Sequence, residues 1–298
     1  MLRSAVAIAA AALVCHPAPG DPPEDAPTPL LSPDAWRLER AHLELYAWYA
    51  AASGSLRLPG STPAPAPSLA TLNLDSPRLQ PMLRLDLLFD NPGATQTPPP
   101  KARLTFTAFA FSNTKAAFLD TPLALGPVDT APDDRVETRL RVEHASLGAG
   151  LRLAGYDDQP DRFTARLDAL VGLHAFRTDT RHRVVQSAPG HDTPLAERTT
   201  QRDDTWFFPY AGARLDMDFE QRFAIHLETT VGGLDGIGDN KALAWDITTT
   251  FNYRPHPNLT LGVGYRNLSL NLDAGPEDDP AKWRGALAGL TWQLGLDF

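Results

Sequence analysis

Between Phe163 and Leu173 every second residue is apolar (Phe163, Ala165, Leu167, Ala169, Val171, Leu173), while Arg166, Asp168, Gly172 and then His174 fall in the opposite series. Period two marks a β-strand with one apolar and one polar face, because successive side chains leave an extended backbone on opposite sides. On an α-helix the same apolar residues would scatter around the circumference. The pattern recurs in about ten segments, which points to an all-β chain.

The segments span 42–58, 80–90, 102–113, 135–153, 163–178, 206–219, 222–234, 242–253, 258–273 and 289–298. The connections between them alternate: 59–79, 114–134, 179–204, 235–241 and 274–282 are long or acidic, whereas 91–101, 154–161, 220–221 and 254–257 are shorter. Long and short connections in turn, with an even strand number, fit an antiparallel barrel whose termini share the short-turn end. Several segments reach the roughly 10 residues that cross a bilayer at a tilt near 45°, about twice the usual strand length. Aromatics gather near segment ends, at Trp36, Trp206 to Phe208, Phe251, Tyr253 and Phe298, where interfacial girdles belong. The expectation is a closed antiparallel transmembrane β-barrel over residues 40–298, with about ten strands. Eight or twelve follow if the irregular first and fourth segments are counted differently.

The fourth segment is irregular because Val136, Leu140 and Val142 are even whereas Ala145, Leu147, Ala149 and Leu151 are odd. A β-bulge near His144 would restore one phase. Residues 36–45 have the composition for a short helix ahead of the first strand.

Residues 1–20 read as a signal peptide, with Arg3 before an apolar stretch over 4–14 and small residues at Ala18 and Gly20. Cys15 follows the bulky Val14, a poor match to a lipidation site, and as the only cysteine it leaves the mature chain without a disulfide. Residues 21–39 form a Pro-rich periplasmic lead-in. Mean hydropathy is −0.26, and beyond the N-terminus no apolar run approaches the roughly 20 residues of a membrane-spanning helix. With 27 Lys and Arg against 36 Asp and Glu, the chain has no basic patch suited to nucleic acid.

If the apolar faces meet lipid, the interior holds both charge signs: Glu44, Arg84, Asp86, Arg166, Asp168, His174, Arg214, Asp216, His226, Glu228, Asp246 and Arg266, joined by Arg103 and Arg152. A ten-stranded lumen is narrow, so long side chains would fill it as paired charges, giving a plug or at most a narrow channel. No catalytic set is expected: there is no G-x-S-x-G motif, Ser146 and Ser269 lack a local signature, and His226 and Glu228 lie side by side on one face. His182 and His191, near Asp179 and Asp192, match no zinc spacing, so neither metal nor cofactor is expected. Two alternatives remain, a soluble secreted β-barrel binding an apolar ligand and an outer-membrane lipid-modifying enzyme.

The last strand sets Leu290, Trp292, Leu294, Leu296 and Phe298 on one face and ends on the aromatic. This resembles the signal that outer-membrane barrels present to the barrel assembly machinery. Val231-Gly232-Gly233-Leu234, Gly236, Gly238-Asp239, Trp245 and Gly264-Tyr265-Arg266-Asn267-Leu268 resemble a family of small Gram-negative outer-membrane barrels with a "VGGF…G.GSD..W…GYRYL" pattern. The likeness covers roughly the last third of the chain, and Leu234 and Asn267 depart from the pattern. It implies the cell outer membrane as location, lipid and the assembly machinery as partners, a monomer in preference to an oligomer, and no general enzymatic role.

Overall fold

The computed structural model describes residues 36–60, 66–90, 101–158, 162–187, 194–237 and 240–298. The expected signal peptide and lead-in up to residue 35 lie outside the described residues. The strands are β1 (Arg37–Arg57), β2 (Arg78–Asp90), β3 (Lys101–Phe118), β4 (Ala124–Leu125), β5 (Val128–Asp129), β6 (Arg135–Asp158), β7 (Phe163–Ser187), β8 (Pro194–Phe219), β9 (Phe223–Ile237), β10 (Asn240–His256), β11 (Leu259–Ala274) and β12 (Ala281–Asp297). All except the β4–β5 hairpin form one closed ring, in the order β1-β12-β11-β10-β9-β8-β7-β6-β3-β2. Each of the ten segments read from the sequence has its strand in this ring, and every neighbouring pair is antiparallel.

Closure is made by β1, which pairs Leu45 with Leu83 of β2 on one side and with Leu294 of β12 on the other. The last residue joins the ladder: Phe298 N–H donates to the Ala41 carbonyl at 2.9 Å, and Ala41 N–H donates back at 3.2 Å. Both ends of the ring therefore lie at one rim, the turn end, together with the tight β8–β9 and β10–β11 connections. The opposite rim, the loop end, carries 58–60, 66–77, the β4–β5 hairpin and 275–280.

Three expectations are corrected. Residues 37–45 are strand, because Leu43 and Leu45 continue the period-two series into both neighbouring ladders. Most of the supposed loop 179–204 is strand, with β7 and β8 paired from Phe163↔Phe219 up to Ser187↔Pro194. Its outward side chains are nearly all charged or polar (Asp179, Arg181, Arg183, Glu197, Thr199, Gln201, Asp203), so the apolar half of the alternation was missing from the sequence pattern. No bulge occurs at His144: the β3–β6 ladder runs unbroken from Ala102↔Leu151 to Phe118↔Arg135, and the only shift between β6 and β7 lies at Arg152/Ala154.

The apolar stripe, and not the backbone phase, changes side on β6. Even-numbered Val136, Leu140, Val142, His144 and Ser146 are all buried inside the ring. Odd-numbered Leu147 and Leu151 are exposed on the outer surface, and farther up the same outer face stand Arg141, Arg139 and Glu137. Other strands repeat the exchange. On β3 the inward series passes from Arg103, Thr105 and Thr107 to Phe109 and Phe111, while the outward one passes from Leu104 and Phe106 to Ser112 and Thr114. On β11 the inward series passes from Thr260 and Arg266 to Leu268, Leu270 and Leu272, while outside Leu261, Val263 and Tyr265 give way to Asn267 and Asn271.

The barrel thus has two zones. Toward the turn end it is apolar outside and polar inside; toward the loop end it is polar outside with a hydrophobic core. That core contains Trp48, Phe111, Leu140, Phe176, Trp206, Leu268 and Trp283, and it is capped by Leu69, Leu72 and Leu74 of the β1–β2 loop and by Leu119, Leu125 and Val128 around β4–β5. Each large side chain fully buried there contributes roughly 1.5–3 kcal/mol. Leu140→Ala should therefore lower unfolding free energy in detergent by about 2–5 kcal/mol, whereas Arg139→Ala, one position away on the outer face, should shift it by less than about 0.5 kcal/mol. Denaturant titration followed by tryptophan fluorescence checks both values.

Candidate functional site: the charged lumen

The polar zone inside the turn-end half is organised around two aspartates that the ring brings to its centre. Asp86 of β2 accepts from Arg84 Nε at 3.2 Å, Arg103 Nη1 at 3.4 Å, Arg214 Nη1 at 3.0 Å and Thr105 Oγ1 at 2.6 Å. Asp216 of β8 accepts from Arg214 Nε at 2.7 Å, Arg103 Nη2 at 2.8 Å and His226 Nδ1 at 2.5 Å. Arg103 and Arg214 bridge both carboxylates, so one unit spans β2, β3 and β8. Two more acids complete it: Glu228 accepts from Arg84 Nη2 at 2.7 Å, and Asp168 accepts from Arg152 Nε at 3.1 Å while lying 3.2 Å from Arg103 Nη2.

Alternation explains the convergence. Arg84 and Asp86, Arg214 and Asp216, and His226 and Glu228 are each two apart on a strand, so each pair shares the inward face. The registers Asp168↔Arg214 and Asp216↔His226 then place complementary groups side by side. Charges this deep are tolerated because each carboxylate meets several donors.

The other expected lumen residues divide between the two margins. Glu44 sits nearer the turn-end rim, accepting from Tyr46 Oη at 2.6 Å and His42 Nε2 at 3.1 Å; His42 Nδ1 reaches Asp297 at 2.9 Å. Arg166 is not joined to the central unit: its side chain is 41% exposed and pairs with Asp218 at 3.4 Å near the rim. Toward the loop end, Arg266 Nε donates to Asp246 at 3.0 Å, and the guanidinium lies over Trp48 and Phe109, 5.2 and 5.0 Å from their centroids. Arg266 thus marks the border between the charged and aromatic zones.

A layer of rings lies beside it. His174 shares a 3.0 Å hydrogen bond with His144 and stacks on Tyr210 at 4.3 Å, and His144 contacts Phe176 at 4.4 Å. Tyr210 has room only because its neighbours on β6 and β7 are glycines. A Cβ on Gly172 would lie 2.6 Å from the ring, and one on Gly148 would lie 2.0 Å from the hydroxyl. His144, Tyr210 and His42 escaped the sequence reading. His144 stood at the supposed phase change, Tyr210 is not a charge, and His42 began its segment; a search for inward-phase aromatics beside glycine would have found Tyr210.

Chemically, the arrangement neutralises charge and packs the bore. Asp216 orients His226, yet the imidazole faces the arginine-carboxylate cluster. Among the described residues, no group of three or more His, Cys, Asp or Glu side chains is placed to hold a metal ion.

No protein-family model matches the chain, and no curated protein matches it. Among solved structures, the outer membrane protease OmpT of Escherichia coli is similar over 88% of this chain and 97% of its own, with 10% identity and a TM-score of 0.42. The attachment invasion locus protein Ail of Yersinia pestis aligns over 87% and 99% at 12% identity and a TM-score of 0.30. The toluene transporter TodX of Pseudomonas putida aligns over 87% and 90% at 10% identity and a TM-score of 0.27. The barrel assignment rests on the closed ladder of this chain itself.

Asp86→Asn removes the charge that faces three arginines and should cost about 3–5 kcal/mol of stability. Arg166→Gln, at the solvated rim, should cost less than about 1 kcal/mol. Urea midpoints of the two variants in the same detergent check the difference.

Proposed function

We propose that the chain is an outer-membrane β-barrel that acts as a sealed, surface-exposed structural protein, with a lumen closed by charge pairs below and by a hydrophobic core above. The observation that carries this reading is the outward belt of the turn-end half. Leu45, Leu104, Leu147, Val171, Val231, Trp245, Val263 and Leu290 are all exposed and recur on strand after strand around the ring. A soluble monomer rarely exposes an apolar patch above a few hundred Å², and a continuous girdle over a polar interior fits lipid as its solvent. The belt also weighs against a soluble barrel with an apolar ligand, whose apolar face at this level would point inward.

The final strand fits the same reading. Leu290, Trp292, Leu294 and Phe298 are exposed on the outer surface, and Phe298 is tied to β1 by its backbone pair with Ala41. Its aromatic side chain, 76% exposed, is free to be read by the assembly machinery and then to rest in lipid. The resemblance over the last third of the chain supports this family of barrels, and a monomer without enzymatic activity is part of the reading.

The protein should fractionate with the outer membrane and migrate faster on gels when unboiled than when boiled. Solubility without detergent and identical mobility would contradict the proposal. In planar bilayers no steady conductance is expected, since the bore is filled by Arg84, Arg103, Arg214 and the aromatic layer; a stable open level would exclude the sealed state. Deleting Phe298 should reduce the folded, heat-modifiable fraction several-fold without affecting export.

A further inference from the structure

Above the apolar belt, the outer face of β6, β7 and β8 carries a panel of charges in which three arginines are matched to carboxylates. Arg177 pairs with Asp203 and lies 3.7 Å from Glu143, Arg141 pairs with Glu143, and Arg183 pairs with Glu197 at 2.7 Å and Glu137 at 3.7 Å. The hydrogen bond from Arg183 holds the Glu197 carboxyl below its ordinary pKa. Gln201 donates to Asp179 at 3.1 Å. The carboxylates of the panel are thereby engaged.

Arg139 and Arg181 break the pattern. They are directly opposed in the β6–β7 ladder, point outward on the same face and are exposed; among the described residues neither has an ion pair within 4 Å or a side-chain hydrogen bond, and Arg181 acts on Glu197 only through its charge at longer range. Thr114 stands beside Arg139 on β3 and Gln201 beside Arg181 on β8, so the whole row Thr114, Arg139, Arg181, Gln201 contains no carboxylate. Like charges directly opposite on a sheet are destabilising. A bound anion would reverse that cost, because two guanidinium forks side by side suit the oxygens of a phosphate.

The position of the row restricts the anion's source. Arg181 lies six residues beyond Ala175, where the continuous apolar series of outward residues on β7 ends. At about 3.4 Å per residue and a tilt near 45°, this places it roughly 14 Å above the hydrocarbon edge. The headgroup layer of a bilayer is only about 5–7 Å thick on each side, so a simple phospholipid phosphate falls short. We propose that Arg139 and Arg181 bind a phosphate carried on the saccharide portion of an outer-leaflet glycolipid. The proposal rests on the outer-membrane reading above.

The test uses the full barrel, purified in detergent and first shown to be heat-modifiable, so that failure of the outer-membrane reading is seen separately from failure of this site. Binding is measured with lipopolysaccharide bearing a phosphorylated core, with lipid A alone, and with inorganic phosphate. The phosphorylated-core form should bind most tightly, weaken as salt rises, and lose about tenfold in affinity for each arginine replaced by glutamine. Arg139→Lys should retain part of the binding, since it keeps the charge and loses the fork. Arg139→Glu should abolish binding while raising the midpoint of unfolding of the ligand-free protein, because the like-charge pair becomes an opposite one. Unchanged affinity in the Arg139→Gln, Arg181→Gln double variant would overturn the site. Equal affinity for lipid A alone or for inorganic phosphate would overturn the assignment to the saccharide phosphate.

Discussion

A strand in a closed ladder cannot turn its side chains over without breaking register, and the whole architecture follows from keeping that phase over strands of up to 26 residues. The two environments along each strand must then be met by changing residue type, not direction. On β6 the inward series runs from Val136 through Leu140 and Val142 to His144 and Ser146, while the outward series runs from arginine and glutamate to leucine and alanine. A bulge would have rotated half of this strand and exposed either the core or the charges to the wrong solvent.

The two interior zones meet at a few residues that belong to both. Arg266 holds Asp246 on its polar side and covers Trp48 and Phe109 with its planar face. His144 and His174 bond to each other and stack among aromatic rings, giving polar atoms partners within an otherwise apolar layer. Below this border the arginines are shared between Asp86 and Asp216, and above it the core is hydrophobic. Such a bore is held by two unlike sets of interactions.

Strand number, antiparallel order and the common rim of the termini were legible in the sequence, because alternation and connection length report them directly. Central residues such as Arg84, Asp86, Arg214 and Asp216 were also visible, since paired charges two apart on a strand must share a face. Less visible were features that depend on which side of the sheet is solvated. The stretch 179–204 looked like a loop because Arg177, Asp179, Arg181 and Arg183 face outward into a polar environment. His144 was lost for the same reason, at the point where the apolar stripe crosses the sheet. Arg166, counted with the interior, is a rim residue because its strand ends there, and alternation says nothing about height along the axis.

The exchange of faces at constant phase is tested most directly by nitroxide scanning of residues 136–151 on β6, with Cys15 replaced by serine and the protein in lipid bilayers. The account predicts that labels at 147, 149 and 151 are accessible to oxygen in the lipid, that labels at 137, 139 and 141 are accessible to a water-soluble relaxation agent, and that 136, 140 and 142 are shielded from both. Lipid accessibility at 140 and 142, shared with 147 and 149, would contradict it by showing that the strand reverses phase near His144.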